Sequence, residues 1–242
     1  MTEFVIEEII EIPQPEVSHL ITEDDTPVDN LFSAKQQRLL VEPLYSSKPI
    51  PWPFLADANV GIFRSNRLSP IVPDAFLSLE VEPAEDWYAK EHRSYFIWEF
   101  GKPPDVVVEV VSNTKGGEAG KKLREYAHTH ISYYVIYDPQ QLIQDKLVKV
   151  YELHIGEYIP KTTDWLEKVG LGLTLWEGEF EGRQDQWLRW CDADGNVILT
   201  GAERAEIEQE RAEREQKRAN REQKRAERLA AQLRALGVEP EA

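Results

Sequence analysis

One acidic residue inside an otherwise apolar run constrains this chain more than any other feature. Residues 105–111 read Asp-Val-Val-Val-Glu-Val-Val, with Glu109 in the middle of the valines. Such a run is typical of a strand covered on both faces of its sheet, where a carboxylate is costly to bury unless it is paired or metal-bound. Because side chains alternate along a strand, Asp105, Val107, Glu109 and Val111 share one face. Glu109 therefore needs either a partner or a function.

The segments around this strand predict an α/β fold. A loop and a helix over 118–130 follow it, and an apolar strand comes next at 133–137. A strand-helix-strand order of this kind indicates a right-handed crossover between parallel strands. A helix over 30–45, capped by Asp29 or Asn30, and strand-like runs at 58–64 and 71–81 precede it. We expect a mixed central sheet with helices packed on it.

The C-terminal part predicts further strands and a long helix. Strands are expected at 147–153 and 171–175, and a closing hairpin pairs 187–191 with 196–199. The tail from Glu203 is half charged and repeats every seven residues, with a seam of small and apolar residues: Ala205, Ala212, Ala219, Ala226, Leu229, Leu233 and Leu236. The alanine positions bury little, so a lone ion-paired helix and a coiled-coil dimer both remain open.

Charge and composition divide the chain and exclude several classes. The net charge is −16, and residues 1–30 carry nine acids and no Lys or Arg. We expect an acidic lead-in at 1–29, an α/β domain at 30–200 and a helical tail at 201–242. The single cysteine, Cys191, fits a reducing compartment, and neither a signal peptide nor a membrane-spanning run is evident. These features predict a cytoplasmic protein without a membrane partner.

Two residues could join Glu109 in a catalytic site. Asp74 follows Pro73 at the start of the preceding strand, and Lys122 lies near the start of the next helix. Two carboxylates can hold Mg²⁺, which polarises a phosphate and activates water, while a lysine neutralises developing negative charge. A purely structural ion pair of Glu109 with Lys122 or Arg124 is the alternative.

Several segments resemble the Uma-two family, which comprises restriction-type endonucleases of the PD-(D/E)xK nuclease superfamily. They are Pro104–Ser112, Gly120–Tyr126 and Tyr133–Pro139, together with Val72-Pro-Asp74 and the closing segment Leu188–Thr200. The resemblance implies a restriction-endonuclease-like three-layer core, Mg²⁺ or Mn²⁺ at the acids, DNA as the substrate, and self-association as a homodimer.

The resemblance also assigns roles residue by residue. Asp74 and Glu109 would be metal ligands, and Lys122, rather than Lys121, would assist the attacking water. The superfamily's usual lysine two residues after the glutamate is absent, since Val111 stands there. Three further residues would line the site: Glu42 as the first-helix acid, Ser112 and Tyr126.

Two functions are compatible with these observations. The first is a metal-dependent endonuclease that acts on DNA. The second is a catalytically silent nuclease fold that dimerises or docks a partner through its helical tail, which the acidic surface and the valine at position 111 favour. The aromatic segment 87–98 could stack nucleic-acid bases, although core packing is the simpler interpretation.

Overall fold

The computed structural model describes residues 30–114 and 117–235, apart from the side chain of residue 233. The predicted acidic lead-in, the seam residue Leu236 and two loop residues, Lys115 and Gly116, lie outside the described residues. The chain separates into two compact units, one ending at Ile198 and the other beginning at Leu199.

A six-stranded mixed sheet forms the centre of the first unit. Its strands are β1 (Phe54–Asp57), β3 (Ala75–Leu79), β5 (Val106–Val110), β6 (Tyr133–Tyr137), β7 (Val148–His154) and β8 (Glu157–Pro160), in that spatial order. Neighbouring strands are antiparallel except β5 and β6, which are parallel. The predicted parallel pairing across a helix is confirmed, because the helix α3 (Leu123–His128) lies between these two parallel strands in the chain.

Packed layers cover both faces of this sheet. Helix α1 (Leu31–Ser47) begins at Asn30, whose side chain accepts hydrogen bonds from the main chain of its first turn. Leu40 and Leu44 of α1 pack with Val106, Val108 and Val110 on one face. A second sheet lies on that face, with β9 (Trp165–Leu166), β10 (Leu171–Phe180) and β11 (Arg183–Cys191) in the order β11-β10-β9.

The opposite face carries α3 and a small parallel sheet. Val107, Val111 and Tyr126 pack there. The small sheet consists of β2 (Ile62–Phe63) and β4 (Tyr95–Phe96), and the short helix α2 (Ile97–Phe100) follows it. The layered α/β fold class is therefore confirmed.

The predicted closing hairpin is confirmed in part, and strand β11 also has a longer partner that was not predicted. Strand β11 pairs along its whole length with β10, from Gly172 opposite Cys191 to Phe180 opposite Arg183. The predicted partner segment 196–199 contributes an isolated antiparallel bridge between Cys191 and Val197, and the main-chain nitrogen of Ile198 donates to the carbonyl of Trp190 at 2.8 Å. The ten-residue strand β10 supplies a continuous row of main-chain partners, which the short segment after Gly195 does not.

Three other boundaries differ from expectation. The run at 58–64 forms a strand only at Ile62–Phe63. The strand Phe54–Asp57, which directly follows a proline-rich segment, was not predicted. The helix expected at 118–130 begins with a π-helical turn, Glu118–Lys122, before α3. Such wide turns occur often at functional sites.

The second unit contains the helix α4 (Gly201–Ala235). Its side chains are mostly exposed, and ion pairs four residues apart run along it, as between Arg218 and Glu222. The prediction of a long charged helix is confirmed. None of the described helices combines the length and apolar character that a membrane span needs.

Candidate active site

Asp74 links the first helix to the central strand. It lies directly before β3, and the register of Ala75 opposite Val108 places it beside Glu109. Its Oδ2 accepts a hydrogen bond of 2.6 Å from the main-chain nitrogen of Val110, and its Oδ1 accepts one of 2.7 Å from Nε2 of Gln37. A donor from each neighbouring element therefore holds the carboxylate in place.

Gln37 is positioned by its own contacts and by the docking of α1. The Oε1 atom of Gln37 accepts a 2.8 Å hydrogen bond from Nδ2 of Asn59. One residue earlier, Gln36 donates to the carbonyl of Leu188 at 2.7 Å and accepts from the nitrogen of the same residue at 3.0 Å. These two bonds join α1 to β11, so the tertiary contact of the helix fixes the place of Gln37.

Glu109 is buried in β5, with 2% of its surface exposed. Its Oε2 accepts a hydrogen bond of 2.7 Å from Nζ of Lys122, and its Oε1 accepts one of 2.5 Å from the hydroxyl of Tyr126. It lies on the face with α3, as the alternation of β5 predicts. Of the two structural partners that the sequence left open, Lys122 is the one that pairs with it.

The turn before α3 explains why these two side chains reach Glu109. Gly117 adopts a left-handed conformation, with φ of 74°, immediately before the π turn. Lys122 and Tyr126 are four residues apart and therefore lie on the same side of the helix. Lys121 points elsewhere: its side chain is 78% exposed and lies 3.8 Å from Glu125.

Glu118 also belongs to this site, and sequence reasoning missed it. It is buried, its Oε1 lies 3.9 Å from Nζ of Lys122, and its Oε2 has no hydrogen-bond partner among the described residues. The hydroxyl of Tyr134 donates to its main-chain oxygen at 3.0 Å. Its spacing of four residues from Lys122 is the signal that could have found it.

Burial and charge shift the pKa values of the site in defined directions. Burial raises the pKa of Glu109, and the attraction of Lys122 and the hydrogen bond from Tyr126 offset part of that rise. Burial lowers the pKa of Lys122, but attraction to Glu109, Glu118 and Asp74 more than compensates and leaves it above its ordinary value. Burial, followed by the charge of Glu109, raises the pKa of Tyr126 well above its ordinary value. Lys122 is therefore a cation at neutral pH, and Tyr126 is a neutral hydrogen-bond donor.

The structure brings four of the predicted residues together, namely Asp74, Glu109, Lys122 and Tyr126. Ser112 is exposed in the loop after β5, where its hydroxyl accepts from Nδ2 of Asn113 at 3.3 Å. Glu42 is exposed on α1. Five residues separate it from Gln37, which is about 140° around a helix, so the two cannot face the same site. The residue of helix α1 that contacts Asp74 is therefore Gln37, through its amide, and not the predicted acid Glu42.

The donor chemistry of the site fits a divalent cation. Within 30–114 and 117–235, no three His, Cys, Asp or Glu side chains form a group arranged for a metal ion. Asp74 and Glu109 nevertheless provide carboxylate oxygens, which suit Mg²⁺ and Mn²⁺. A carboxylate oxygen that accepts one hydrogen bond retains a second lone pair, and the unpartnered Oε2 of Glu118 adds a buried acceptor nearby.

A mixed sheet with acids on two adjacent strands and a lysine folded over them defines a restriction-endonuclease-like α/β protein. The chain matches the model of the Uma2 family, described as “Putative restriction endonuclease”, over residues 25–176. It belongs to this family, which confirms the resemblance seen in the sequence, and the family description supports a nuclease-like function. A search of curated proteins finds no match.

Proposed function

We propose that this protein is a divalent-metal-dependent endonuclease that hydrolyses phosphodiester bonds in DNA. The observation that carries the proposal is the buried Glu109 carboxylate, held between Lys122 and Tyr126 beside Asp74, which directly precedes the adjacent strand. Family membership supports the same reaction class. A carboxylate in the middle of a valine strand is costly to retain unless its surroundings compensate it or its chemistry is used.

Each residue of the site would have a distinct role in the proposed reaction. Asp74 and Glu109 would hold Mg²⁺ or Mn²⁺, which when bound polarises the phosphate and lowers the pKa of water. Lys122 provides a fixed positive charge, 27% exposed, that can stabilise negative charge developing on the phosphate. Tyr126 and Gln37 orient the two carboxylates through the hydrogen bonds described above. The local charge of a metal ion also reduces the repulsion between DNA and these acids.

The test is cleavage of supercoiled and single-stranded DNA with Mg²⁺ or Mn²⁺. The wild-type protein is compared with Glu109→Gln and with a control, Glu125→Gln, which removes a half-buried acid of α3 whose ion pair is with Lys121. We expect cleavage by the wild type and the control and none by the Glu109 variant. Equal cleavage by all three would place the activity elsewhere or in a contaminant.

A second function is favoured by the hydrogen bonding of the acids. Every carboxylate oxygen of Asp74 and Glu109 already accepts from a protein donor, so the network is also complete as a structural unit. The protein would then be a silent nuclease fold that binds or assembles. Absence of metal binding in calorimetric titration of the wild type, together with absence of cleavage, would support this function over the first.

The proposal extends to the organisation of the chain. Along the chain, the acidic lead-in at 1–29 would be followed by the nuclease-like domain at 30–200. The tail 201–242 would mediate a homodimer. Arg and Lys alternate with Glu along α4, which allows ion pairs within a helix and between helices. A cytoplasmic location, which the single cysteine suggests, is testable by cell fractionation.

A further inference from the structure

A cavity of about 480 Å³ opens on the α3 face of the central sheet. Phe76 of β3 and Asp57 of β1 lie opposite each other and line it, and the segment Trp87–Tyr95 contributes the other wall. Phe76 packs in the same apolar cluster as Tyr126, the partner of Glu109. The volume is that of a small-molecule pocket.

Two aromatic rings at this cavity are exposed to solvent. Trp87 is 49% exposed and Tyr88 is 85% exposed, and in the described part of the chain neither ring stacks on another ring. The expectation that the segment 87–98 fills the core holds for Tyr95 and Phe96, which are buried, but it is wrong for these two residues. Large rings left exposed at a cavity indicate a binding surface.

The main chain beneath the two rings is fixed. Oδ1 of Asp86 accepts hydrogen bonds from the nitrogens of Tyr88 and Ala89, at 2.8 Å and 3.3 Å. Nε of Arg93 donates to the carbonyl of Tyr88 at 3.1 Å. The rings are therefore presented by an ordered turn, which lowers the entropic cost of binding a ligand against them.

The cavity lies close to the candidate active site along the sheet. Phe76 is opposite Val107 of β5, two residues before Glu109. Ordinary strand spacing and rise place the Cα atoms of Phe76 and Glu109 roughly 8 Å apart. A polymer whose backbone reaches Glu109 can therefore place a neighbouring unit in the cavity.

We propose that the cavity binds an unpaired nucleobase of the strand held at the Glu109 site. Trp87 and Tyr88 form the stacking surface, and the Asp57 carboxylate accepts hydrogen bonds from the amino group of the base. The inference rests on the proposed nuclease function for the identity of the polymer. Exposed rings that can stack on bases are typical of single-strand binding surfaces. Lys90 and Arg93 of the same segment supply cations beside the acids Glu85, Asp86 and Glu91, so stacking rather than net charge carries the proposal.

The experiment measures binding without cleavage. Fluorescence anisotropy compares a labelled single-stranded DNA with a duplex of the same sequence, in a Glu109→Gln background. Trp87→Ala and Tyr88→Ala are compared with Trp52→Ala, which removes a tryptophan that is 63% exposed beside Phe54 and away from this cavity. We expect each cavity variant to weaken single-strand binding at least about fivefold, and the control to leave it unchanged.

Two results would overturn the proposal. Equal single-strand affinity for Trp87→Ala and Trp52→Ala would show that the cavity does not bind a base. An equal loss of duplex and single-strand affinity would assign the rings to general DNA contact. If the wild-type protein fails to cleave DNA but the Trp87-dependent binding is present, the nuclease proposal falls and this inference stands.

A second comparison tests Asp57. Adenine and cytosine carry exocyclic amino donors, whereas thymine presents an acceptor at the equivalent position. We expect oligo-dA and oligo-dC to bind more tightly than oligo-dT, and Asp57→Ala, which leaves no side-chain acceptor, to remove that preference. A preference that survives the substitution would exclude Asp57 as the acceptor.

Discussion

Nζ of Lys122 lies 2.7 Å from Oε2 of Glu109, across 13 residues of sequence that include the whole turn before α3. The lysine side chain is 27% exposed, while the carboxylate side chain is 2% exposed. One partner therefore reaches solvent and the other does not. This asymmetry allows Lys122 to contact a substrate while it still compensates a buried charge. Its contribution to stability and its contribution to cleavage can therefore be measured separately.

Replacing Lys122 with methionine should reduce both stability and cleavage. The change leaves Glu109 buried without its counter-ion, which should lower the free energy of unfolding by about 3 kcal/mol. Lys121→Met is the matched control, because the neighbouring lysine is 78% exposed, and its surface ion pair should contribute less than about 1 kcal/mol. Urea unfolding and DNA cleavage measure the two effects. Equal results for both variants would contradict the assignment of Lys122.

Replacing Asp74 with asparagine should weaken metal binding at least about tenfold, because one of the two carboxylates is lost. The side chain keeps its size but presents an amide group to a pair of donors, so a loss of about 1 to 3 kcal/mol in stability should accompany the change. Asp145→Asn, an exposed acid paired with Lys149, is the control. Titration calorimetry with Mn²⁺ gives the affinities, and unchanged binding by the Asp74 variant would exclude Asp74 as a ligand.

Removing the hydroxyl of Tyr126 should reduce cleavage through the position of Glu109. Tyr126→Phe leaves a buried carboxylate oxygen without its donor, at a cost of about 1 to 3 kcal/mol. Tyr137→Phe removes a comparable bond, of 2.6 Å to the carbonyl of Gln186, away from the site. We expect both variants to lose stability, but only the Tyr126 variant to lose cleavage. A similar fall in cleavage for both would reduce Tyr126 to a structural residue.

Acid should weaken the contact between α1 and the turn that joins β10 to β11. The hydrogen bond and charge of Arg38, followed by Lys35, lower the pKa of Glu181 from 4.5 to about 2. The folded-state pKa is depressed, so the stabilisation is present above pH 4.5 and is lost as the pH falls towards 2. This exposed ion pair should contribute at most about 1 kcal/mol.

Glu181→Gln tests this pH dependence. Its unfolding free energy should be below that of the wild type at pH 7, and the two should converge near pH 2. The control is Glu179→Gln, which replaces an exposed acid of the same hairpin. Its unfolding free energy should not fall below that of the wild type at pH 7 as the value for Glu181→Gln does. A constant gap between wild type and Glu181→Gln at all pH values would contradict the linkage.

The proposed homodimer predicts a specific sensitivity of the tail. Glutamate at Ala212, Ala219 and Ala226 would place like charges along the seam, and it should convert a dimer to a monomer in sedimentation experiments. Lys217→Glu with Lys224→Glu adds comparable negative charge on the opposite side of the helix and should leave the dimer intact. A wild-type monomer, or no response to the seam variant, would remove the tail from self-association.

The sequence determined the central part of the fold because the signals there are local and strong. The strand Tyr133–Tyr137 agrees residue for residue with the prediction, and the valine run around Glu109 forms β5 within one residue at each end. Alternation along that run also identifies the face that Glu109 occupies. Lys122 is far enough along the chain from this strand for the helix that carries it to fold back over the face that Glu109 occupies.

Contacts between distant segments were decided by the tertiary structure alone. The partner of β11, the hydrogen bond from Gln37 to Asp74 and the exposure of Trp87 each depend on how remote elements pack. Periodicity specifies which face of an element a residue occupies, but it does not specify what lies against that face. The buried carboxylate was therefore visible in the sequence, whereas the groups that hold and surround it became visible only in the folded chain.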